Sequence, residues 1–226
     1  MEDENRVILI DKPAGMSSFS VVARVRGFLK REFGHKVKVG HTGTLDPFAT
    51  GLLILLSGKL TKKSNEFLKL DKVYEATIEL GQVSSTGDPE GEITQKSKKK
   101  VEIQEIRQVL SKFIGEIEQT PPKFSAIKIN GQRAYKLARK GADFEMPTRK
   151  VTIYNIEILE YEYPLLKIRC HVSSGTYIRT LAEDIGEVLG VGAYCLSLRR
   201  IKIGDWDVKD AKKLSEMQDT KVMEDI

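Results

Sequence analysis

The sequence has few cysteines and histidines, the residues that form disulfides or bind metal ions in small proteins. Only two of its 226 residues are cysteines, Cys170 and Cys195, and they do not form a CxxC pair. Three scattered histidines give no zinc-ligand spacing. No apolar run is long enough to span a bilayer, and the acidic N-terminus lacks the apolar core of a signal peptide. We therefore expect a cytoplasmic protein with reduced thiols and no metal or membrane association.

Nucleotide-binding signatures are also missing. The sequence has neither the GxxxxGK[ST] pattern that cradles phosphates nor the GxGxxG pattern of dinucleotide-binding folds. ATP and NAD are therefore unsupported, and we expect no cofactor.

Charge is distributed unevenly along the chain. The formal net charge is +5, but residues 205–226 contain four lysines and seven acidic residues, so residues 1–204 carry +8. A basic body suits a polyanionic partner such as nucleic acid, because lysine and arginine displace counterions from phosphates. An ordinary surplus of surface lysine explains the same numbers, so charge alone does not decide between these interpretations.

Apolar periodicity predicts a mixed α+β fold around one sheet, since strands and helices alternate without a regular βαβ rhythm. A helix is expected to begin at Ser17 or Ser18 and to end at Gly34. Two more helices are expected at residues 103–114 and 178–189, and a loop at 82–93. Strands are expected at residues 7–10, 52–56, 72–80, 150–159, 165–173 and 196–203.

The most unusual segment is residues 40–51, which read GHTGTLDPFATG. Glycines let the backbone turn tightly or approach a ligand closely. Asp46 precedes Pro47, which biases it towards an extended or turn conformation. An arbitrary Asp-Pro is more often a turn in which the carboxylate bonds neighbouring N–H groups. The twelve-residue context instead favours a functional carboxylate.

This segment resembles the catalytic motif GHTGTLDPxATGxL of the TruB family of pseudouridine synthases. Further motifs follow the family order and extend the resemblance over roughly residues 7–204. They are DKPAGMSS at 11–18, KVYEA at 72–76, TGDPEG at 86–91, PPKFSAIK at 121–128, SGTYIRTLA at 174–182 and LRR at 198–200. The resemblance implies the pseudouridine synthase fold, a mixed, mostly antiparallel central sheet flanked by helices and loops.

The resemblance also implies catalytic roles for three residues. Asp46 would be the carboxylate that attacks the target nucleoside or drives glycosidic cleavage. Arg179 would pair with Asp46, because a guanidinium can hold a carboxylate bidentately and keep it ionised. Tyr74 would stack on the flipped uracil and help to take the proton from C5.

Supporting residues follow from the same motifs. His41 would help to hold the rearranged RNA loop open, and Thr44 lies in the same substrate-binding segment. Leu198 would pack beside Tyr74, and Lys12 would brace the site.

An RNA-gripping insertion is expected at about residues 119–148, which would order on RNA. Its basic and aromatic content suits phosphate contact with some stacking. An amphipathic helix with a solvated basic face is the alternative for any single lysine. The candidate RNA-binding residues here are Lys123, Lys128, Arg133, Tyr135 and Lys136.

The resemblance therefore implies a tRNA-modifying isomerase that converts uridine 55 of the T-arm stem-loop to pseudouridine. We expect a monomeric single catalytic domain over residues 1–226, acting without guide RNA, with a short acidic segment at 205–226 and no RNA-binding PUA domain. Two alternatives remain open. One is an RNA-binding or tRNA-folding protein, and the other is the catalytic subunit of a guide-RNA ribonucleoprotein.

Overall fold

The computed structural model describes residues 4–129 and 131–217, and the chain divides into two compact units. The first comprises the described parts of Met1–Lys72 and Arg199–Ile226, and the second is Val73–Leu198. From position 218 onward, the expected acidic segment lies outside the described residues. The expectation of one catalytic domain over the whole chain stays a prediction.

The secondary-structure elements are numbered in chain order. The strands are β1 (Val7–Lys12), β2 (Val39–His41), β3 (Thr50–Ser57), β4 (Lys72–Leu80), β5 (Gln82–Ser84), β6 (Ile93–Gln95), β7 (Gly115–Gln119), β8 (Lys128–Ile129), β9 (Gln132–Arg133), β10 (Arg149–Glu162), β11 (Leu165–Val172), β12 (Ala193–Ile203), β13 (Trp206–Asp207) and β14 (Lys212–Lys213). The α-helices are α1 (Ser18–Phe33), α2 (Ser64–Leu68), α3 (Ile103–Ser111), α4 (Ala134–Arg139) and α5 (Ile178–Val188), and 3₁₀ turns occupy Gly58–Lys63, Val208–Asp210 and Leu214–Met217.

Strand β3 is the centre of the first unit. It pairs with β1 and β2 in antiparallel fashion, and with the end of β12 in parallel. Leu53 and Leu55 pack in one core cluster with the apolar side of α1, whereas Leu52, Ile54 and Leu56 pack in a second cluster. Because both faces of β3 are buried, its sequence is continuously apolar and does not alternate.

Helix α1 confirms the boundaries read from sequence. The Ser17 side chain accepts a hydrogen bond from the Ser20 N–H at 3.0 Å and caps the helix. Gly34 ends it in the left-handed conformation with φ 75°, where its N–H donates to the Lys30 carbonyl. The cap residues therefore set where the chain enters and leaves α1.

The second unit contains the sheet order β12-β4-β11-β10-β7, to which β12 contributes its first residues. Strand β10 runs antiparallel to both β11 and β7. Alternate residues of β4 are buried, as its period-two sequence predicts. Helix α5 packs closely against the start of β12, since a Cβ on Gly186 would lie 2.2 Å from the Ala193 nitrogen.

The mixed α+β class is confirmed, with antiparallel pairs outnumbering the parallel pairs β3–β12 and β1–β14. Two local expectations were wrong. The helix expected over residues 103–114 ends at Ser111, because Gly115, with φ 104°, starts a strand there and leaves Ile114 45% exposed. The loop expected at 82–93 begins and ends in the short antiparallel strands β5 and β6.

Candidate functional site

The loop that carries Asp46 is anchored on both sides of the carboxylate. Before it, the Leu45 N–H donates to the Ser18 hydroxyl at 2.8 Å, and that hydroxyl donates to the Leu45 carbonyl at 2.9 Å. After it, the Pro47 carbonyl accepts from the Gly15 N–H at 2.8 Å. Leu45 is buried, whereas Asp46 is half-buried. The backbone around Asp46 is therefore fixed while its side chain keeps partial access to the surface.

Lys12 is a completely buried cation beside this loop. Its ammonium donates to the carbonyls of Pro13, Met16 and Pro47 at 2.9, 2.6 and 3.1 Å. A buried charge is tolerated only where hydrogen bonds replace its water. These bonds join the end of β1 to the Asp46 loop. Its contribution to activity stays a prediction.

Arg200 ties together the two ends of the same loop, a role that the sequence did not reveal. Its side chain is buried and donates from Nε to the Leu52 carbonyl at 2.8 Å and from Nη2 to the Gly43 carbonyl at 3.2 Å. Gly51 faces the Arg200 backbone, so a Cβ there would lie 2.3 Å from the Arg200 carbonyl oxygen. The LRR motif and the last glycine of the loop motif thus meet in one close contact.

The two remaining candidates of the loop segment lie at its start. His41 is half-buried at the end of β2, and its Nδ1 accepts a 3.4 Å hydrogen bond from the Gly43 N–H. Thr44 is exposed, whereas the neighbouring Thr42 is buried and bonded to the Ile54 carbonyl. Thr44 is therefore accessible to a ligand, and its proposed contact with RNA remains a prediction.

Arg179, in the first turn of α5, has a buried carboxylate partner within the second unit. Its Nη1 donates to Asp88 Oδ2 at 2.8 Å and to the Thr86 carbonyl at 2.9 Å. The two side chains of this ion pair are only 3% and 4% exposed. Asp88 belongs to a motif recognised in the sequence but had been given no role. The expected pairing of Arg179 with Asp46 remains a prediction.

Other groups hold both members of this pair. The second carboxylate oxygen of Asp88 accepts from the Thr86 hydroxyl at 2.6 Å and the Glu90 N–H at 3.0 Å. The buried Gln119 side chain bonds the Tyr177 N–H and carbonyl at 2.7 and 3.0 Å, where α5 begins. Such outer contacts fix the guanidinium of Arg179 through its helix and its partner.

Two acidic residues of α5 lie one turn further along. Burial raises the pKa of Glu183 to about 7, while the nearby Arg179 guanidinium opposes that rise. Burial also raises the pKa of Asp184 to about 6, with Glu187 adding to it. Glu183 lies against the Thr86–Gly91 loop, since a Cβ on Gly87 would be 2.8 Å from its carboxylate. This side of α5 therefore changes charge near neutral pH.

Tyr74 and Leu198 occupy neighbouring strands, β4 and β12, of the second unit. Tyr74 is 9% exposed and Leu198 is 7% exposed, so each leaves only an edge at the surface. Little of either side chain is available to a ligand in this structure, and both proposed roles remain predictions.

The predicted RNA-gripping insertion contains the paired strands β8 and β9 and the helix α4. Most of its candidate residues project from the surface, whereas Tyr135 is half-buried and has the Arg139 guanidinium 5.7 Å from its ring centroid. Lys123 lies 3.8 Å from Asp143 and 5.5 Å from the Phe144 ring centroid. The exposed candidates are Lys123, Lys128, Arg133 and Lys136.

This insertion is hydrogen-bonded to the Arg179 site. The Phe124 carbonyl accepts from Arg179 Nη2 at 2.8 Å. The adjoining Ser125 carbonyl accepts from the Tyr135 N–H at 3.0 Å at the start of α4. Arg133 donates to the Ala126 carbonyl. The guanidinium of Arg179 thus contacts the same segment that carries the candidate RNA-binding side chains.

Other chemistries have little support among the described residues. Within residues 4–129 and 131–217, no group of three or more His, Cys, Asp or Glu side chains is arranged to hold a metal ion. Both cysteines are buried, and burial raises the pKa of Cys170 to about 12, which argues against a thiolate nucleophile. None of the helices in this part of the chain is long and apolar enough to cross a membrane.

Comparison with known sequences gives matches over nearly the whole chain. The chain is 45% identical over 211 residues to a tRNA pseudouridine synthase B of Endomicrobium trichonymphae, covering 93% of this chain and 90% of that protein. It is also 45% identical to a tRNA pseudouridine synthase B of Aquifex aeolicus, covering 92% and 72%. A relative of the same name in Phocaeicola vulgatus is 46% identical, with 92% and 89% covered.

Solved structures and family models agree with these relatives. The fold resembles a chain in a Cbf5-Nop10-Gar1 complex with a TM-score of 0.70 and 32% identity, covering 94% of this chain and 53% of that one. The model described as TruB family pseudouridylate synthase (N terminal domain) matches residues 30–178. The model described as tRNA pseudouridylate synthase B C-terminal domain matches residues 179–225. The chain therefore belongs to the TruB family of pseudouridylate synthases.

Proposed function

We propose that this protein isomerises uridine 55 in the T-loop of tRNA to pseudouridine, as a monomer in the cytoplasm and without guide RNA, metal or cofactor. The single observation that carries the proposal is the Asp46 loop, in which both neighbours of a half-buried carboxylate are hydrogen-bonded in place. The names of its relatives support tRNA as the substrate.

The reaction rearranges bonds without adding or removing atoms. The bond from ribose C1′ to uracil N1 breaks, a bond from C1′ to C5 forms, and the proton lost from C5 is balanced by one gained at N1. No oxidant, reductant or hydrolytic water enters this balance. The enzyme must hold the detached base and keep water away while the base turns.

Asp46, Arg179 and Tyr74 are the catalytic residues of this proposal. The carboxylate of Asp46 attacks either the base or the sugar, and it must be ionised to do so. Arg179 supplies positive charge that favours that ionised state. Its rigid bonds to Asp88 and Phe124 suit a group that acts without rearranging. Tyr74 stacks on the base and assists removal of the C5 proton.

Access to a T-loop uridine requires that the base leave its stack, which takes a few kcal/mol. The exposed cations of residues 119–148 are proposed to offset this cost by binding phosphates. The hydrogen bonds between this segment and Arg179 support that assignment. RNA bound to residues 119–148 would contact the same segment that bonds the Arg179 side chain.

The test incubates the purified protein with unmodified tRNA transcript and maps pseudouridine by chemical labelling and primer extension. We expect one product in the T-loop from the wild type and none from Asp46→Asn. Asp205→Asn is the matched control, because it makes the same chemical change at an exposed aspartate. Loss of product in both variants, or its retention in Asp46→Asn, would contradict the assignment of the nucleophile.

A guide-dependent function is the second candidate, because the chain also resembles a structure described as an H/ACA RNP bound to a substrate RNA, with 30% identity and a TM-score of 0.69. A bare T-arm hairpin separates the two. A guide-independent enzyme modifies it, whereas a guide-dependent subunit leaves it unchanged. Tight binding of tRNA with no product would instead favour an RNA-folding role.

A further inference from the structure

One side of helix α1 is exposed and carries only basic, small and aromatic side chains. With 3.6 residues per turn, positions 19, 23, 26 and 30 lie along one line of the helix, and positions 24 and 31 lie along the next. The buried residues Val21, Val25 and Leu29 occupy the other side. We name this surface the α1 basic face, and it consists of the exposed residues Phe19, Ala23, Arg24, Arg26, Lys30 and Arg31.

The charge of this region is as large as that of the whole protein. Residues 18–38 contain six basic residues and one acidic residue, a net charge of +5, and the formal charge of the chain is also +5. The acidic residue, Glu32, is already paired with Arg6 at 2.9 Å. The nearby Glu4 is bonded to His35 at 2.9 Å. The exposed cations of α1 are therefore not matched by carboxylates of their own segment.

Phe19 adds an aromatic surface to these charges. It is 66% exposed at the start of α1, with the Arg26 guanidinium 6.0 Å from its ring centroid. An exposed aromatic ring beside cations is the combination that binds single-stranded bases, because every base has a face that can stack and a phosphate that attracts lysine and arginine. Phe19 does not belong to the core cluster of α1.

The α1 basic face is held to the loop that carries Asp46. Ser18, which precedes Phe19, is the residue whose hydroxyl bonds both the N–H and the carbonyl of Leu45. Further along the helix, Arg26 donates to the Val39 carbonyl at 3.4 Å at the start of β2. Both contacts lie inside the first unit. RNA bound to this face would therefore be oriented with respect to Asp46.

We propose that the α1 basic face is a second RNA-binding surface, distinct from residues 119–148. Its cations bind backbone phosphates of the tRNA, and Phe19 stacks on an unpaired base. This inference rests on the proposed function for the identity of the RNA. An anionic membrane is the less suitable partner, because an interfacial helix needs a broad exposed apolar face. Here the apolar side of α1 is buried and a single phenylalanine is exposed.

The test measures equilibrium binding of unmodified tRNA over a range of KCl concentrations. In the variant Arg24→Gln/Lys30→Gln, we expect the negative slope of log K against log salt to become shallower by about 1 for each cation removed. The matched control is Lys98→Gln/Lys100→Gln, which removes the same charge from exposed lysines outside the face. Its slope is expected to stay at the wild-type value.

Stacking is tested at Phe19 with a pair of variants. Phe19→Ser is expected to weaken tRNA binding about fivefold, since stacking of one base contributes about 1 kcal/mol or more. Phe19→Tyr keeps the ring and should bind as the wild type does. In turnover assays, both weakened variants should raise KM and leave kcat at saturating tRNA unchanged, because none of the altered residues is assigned to catalysis.

Equal salt slopes for the α1 variant and its control would overturn the proposal, as would loss of binding to phosphatidylserine vesicles with unchanged binding to tRNA. Circular dichroism establishes that each variant is folded. The enzyme proposal and the RNA-binding proposal can fail separately. If the wild type makes pseudouridine and the α1 variants bind tRNA normally, only the proposal of RNA binding by the α1 basic face is refuted. A wild type that binds tRNA through α1 without forming product refutes only the enzyme.

Discussion

Replacing Asp88 by asparagine should destabilise the protein strongly, because it breaks the buried ion pair with Arg179. The pair is joined at 2.8 Å, and its side chains are 3% and 4% exposed. Both carboxylate oxygens are used, one by Arg179 and the other by the Thr86 hydroxyl and the Glu90 N–H. An amide has one acceptor oxygen. The asparagine side chain can therefore accept either from Arg179 or from the Thr86 hydroxyl and Glu90 N–H, and its NH₂ group faces the remaining donor.

The expected loss is about 3–5 kcal/mol, the usual result of removing one charge from a buried, hydrogen-bonded ion pair. Asp11→Asn is the matched control. Asp11 pairs bidentately with Arg199 at 3.0 and 2.8 Å, but the side chains of Arg199 and Asp11 are 39% and 21% exposed. An exposed pair contributes about 0–1 kcal/mol, so the control should remain close to the wild type.

Urea unfolding followed by far-UV circular dichroism gives the free energy of unfolding of each variant. Fluorescence of Trp206, which lies in the first unit, provides a second probe, and coincident transitions would justify a two-state analysis. The reasoning is refuted if Asp88→Asn lowers the free energy of unfolding no more than Asp11→Asn does. That result would mean that burial of this pair contributes nothing beyond what an exposed pair contributes.

Two further changes test the site and its surroundings. Gly51→Ala should lower the melting temperature by several degrees, because Gly51 has φ 100° and a Cβ would lie 2.3 Å from the Arg200 carbonyl oxygen. Gly27→Ala, inside α1 with its nearest contact at 3.9 Å, should raise it slightly, and equal effects would contradict the argument. Glu183→Gln tests the raised pKa of about 7. The folded state binds this proton more tightly than the unfolded state, so wild-type stability falls as pH rises from about 4.5 to 7. The glutamine variant should therefore melt higher than the wild type at pH 8, with the difference disappearing as the pH falls to about 4.5, the ordinary pKa of a glutamate. The neighbouring Asp184 is present in both proteins, so a constant difference across that range would count against Glu183 as the titrating group.

Local patterns predicted those parts of the fold that local interactions determine. The boundaries of α1 follow from Ser17 and Gly34, which cap the helix through bonds only a few residues long. The alternation of β4 reflects one strand buried on alternate positions. The end of α3 was missed because the apolar spacing continues to Ile114, whereas the backbone of Gly115 turns away from helix geometry. Periodicity reports which side chains are apolar and not where a backbone leaves the helix.

The candidate site was predicted in its motifs but not in the contacts that hold them. Asp88 and Arg179 are 91 residues apart, and Gln119 and Tyr177 are 58 apart. Each motif was recognised by its own residues, and nothing in either member of a pair specifies the other. Such pairings depend on how strands and helices pack, which is set by the sum of many core contacts. The one indication in the sequence was that these motifs place polar and charged residues among apolar ones, which suggests that the polar side chains are hydrogen-bonded within the protein.

Burial also changes how the basic composition should be interpreted. Lys12, Lys72, Arg179 and Arg200 are between 0% and 6% exposed. Each donates to backbone carbonyls, which lie in loops, at the end of helix α2 or in strand β3. A long cationic side chain can reach several carbonyls at once and so hold a loop that must keep a particular shape.

These four buried cations are not available to a phosphate, although they are counted in the +8 that residues 1–204 carry. The net charge therefore includes buried cations that RNA cannot reach. It also does not show that exposed cations are concentrated on particular surfaces. Two groups of exposed cations are proposed to contact RNA, one on residues 119–148 and the other on the α1 basic face. Affinity for a polyanion follows the number of cations that can contact it together. The salt dependence of tRNA binding should consequently be governed by those two surfaces and be insensitive to exposed lysines outside them, such as Lys98 and Lys100.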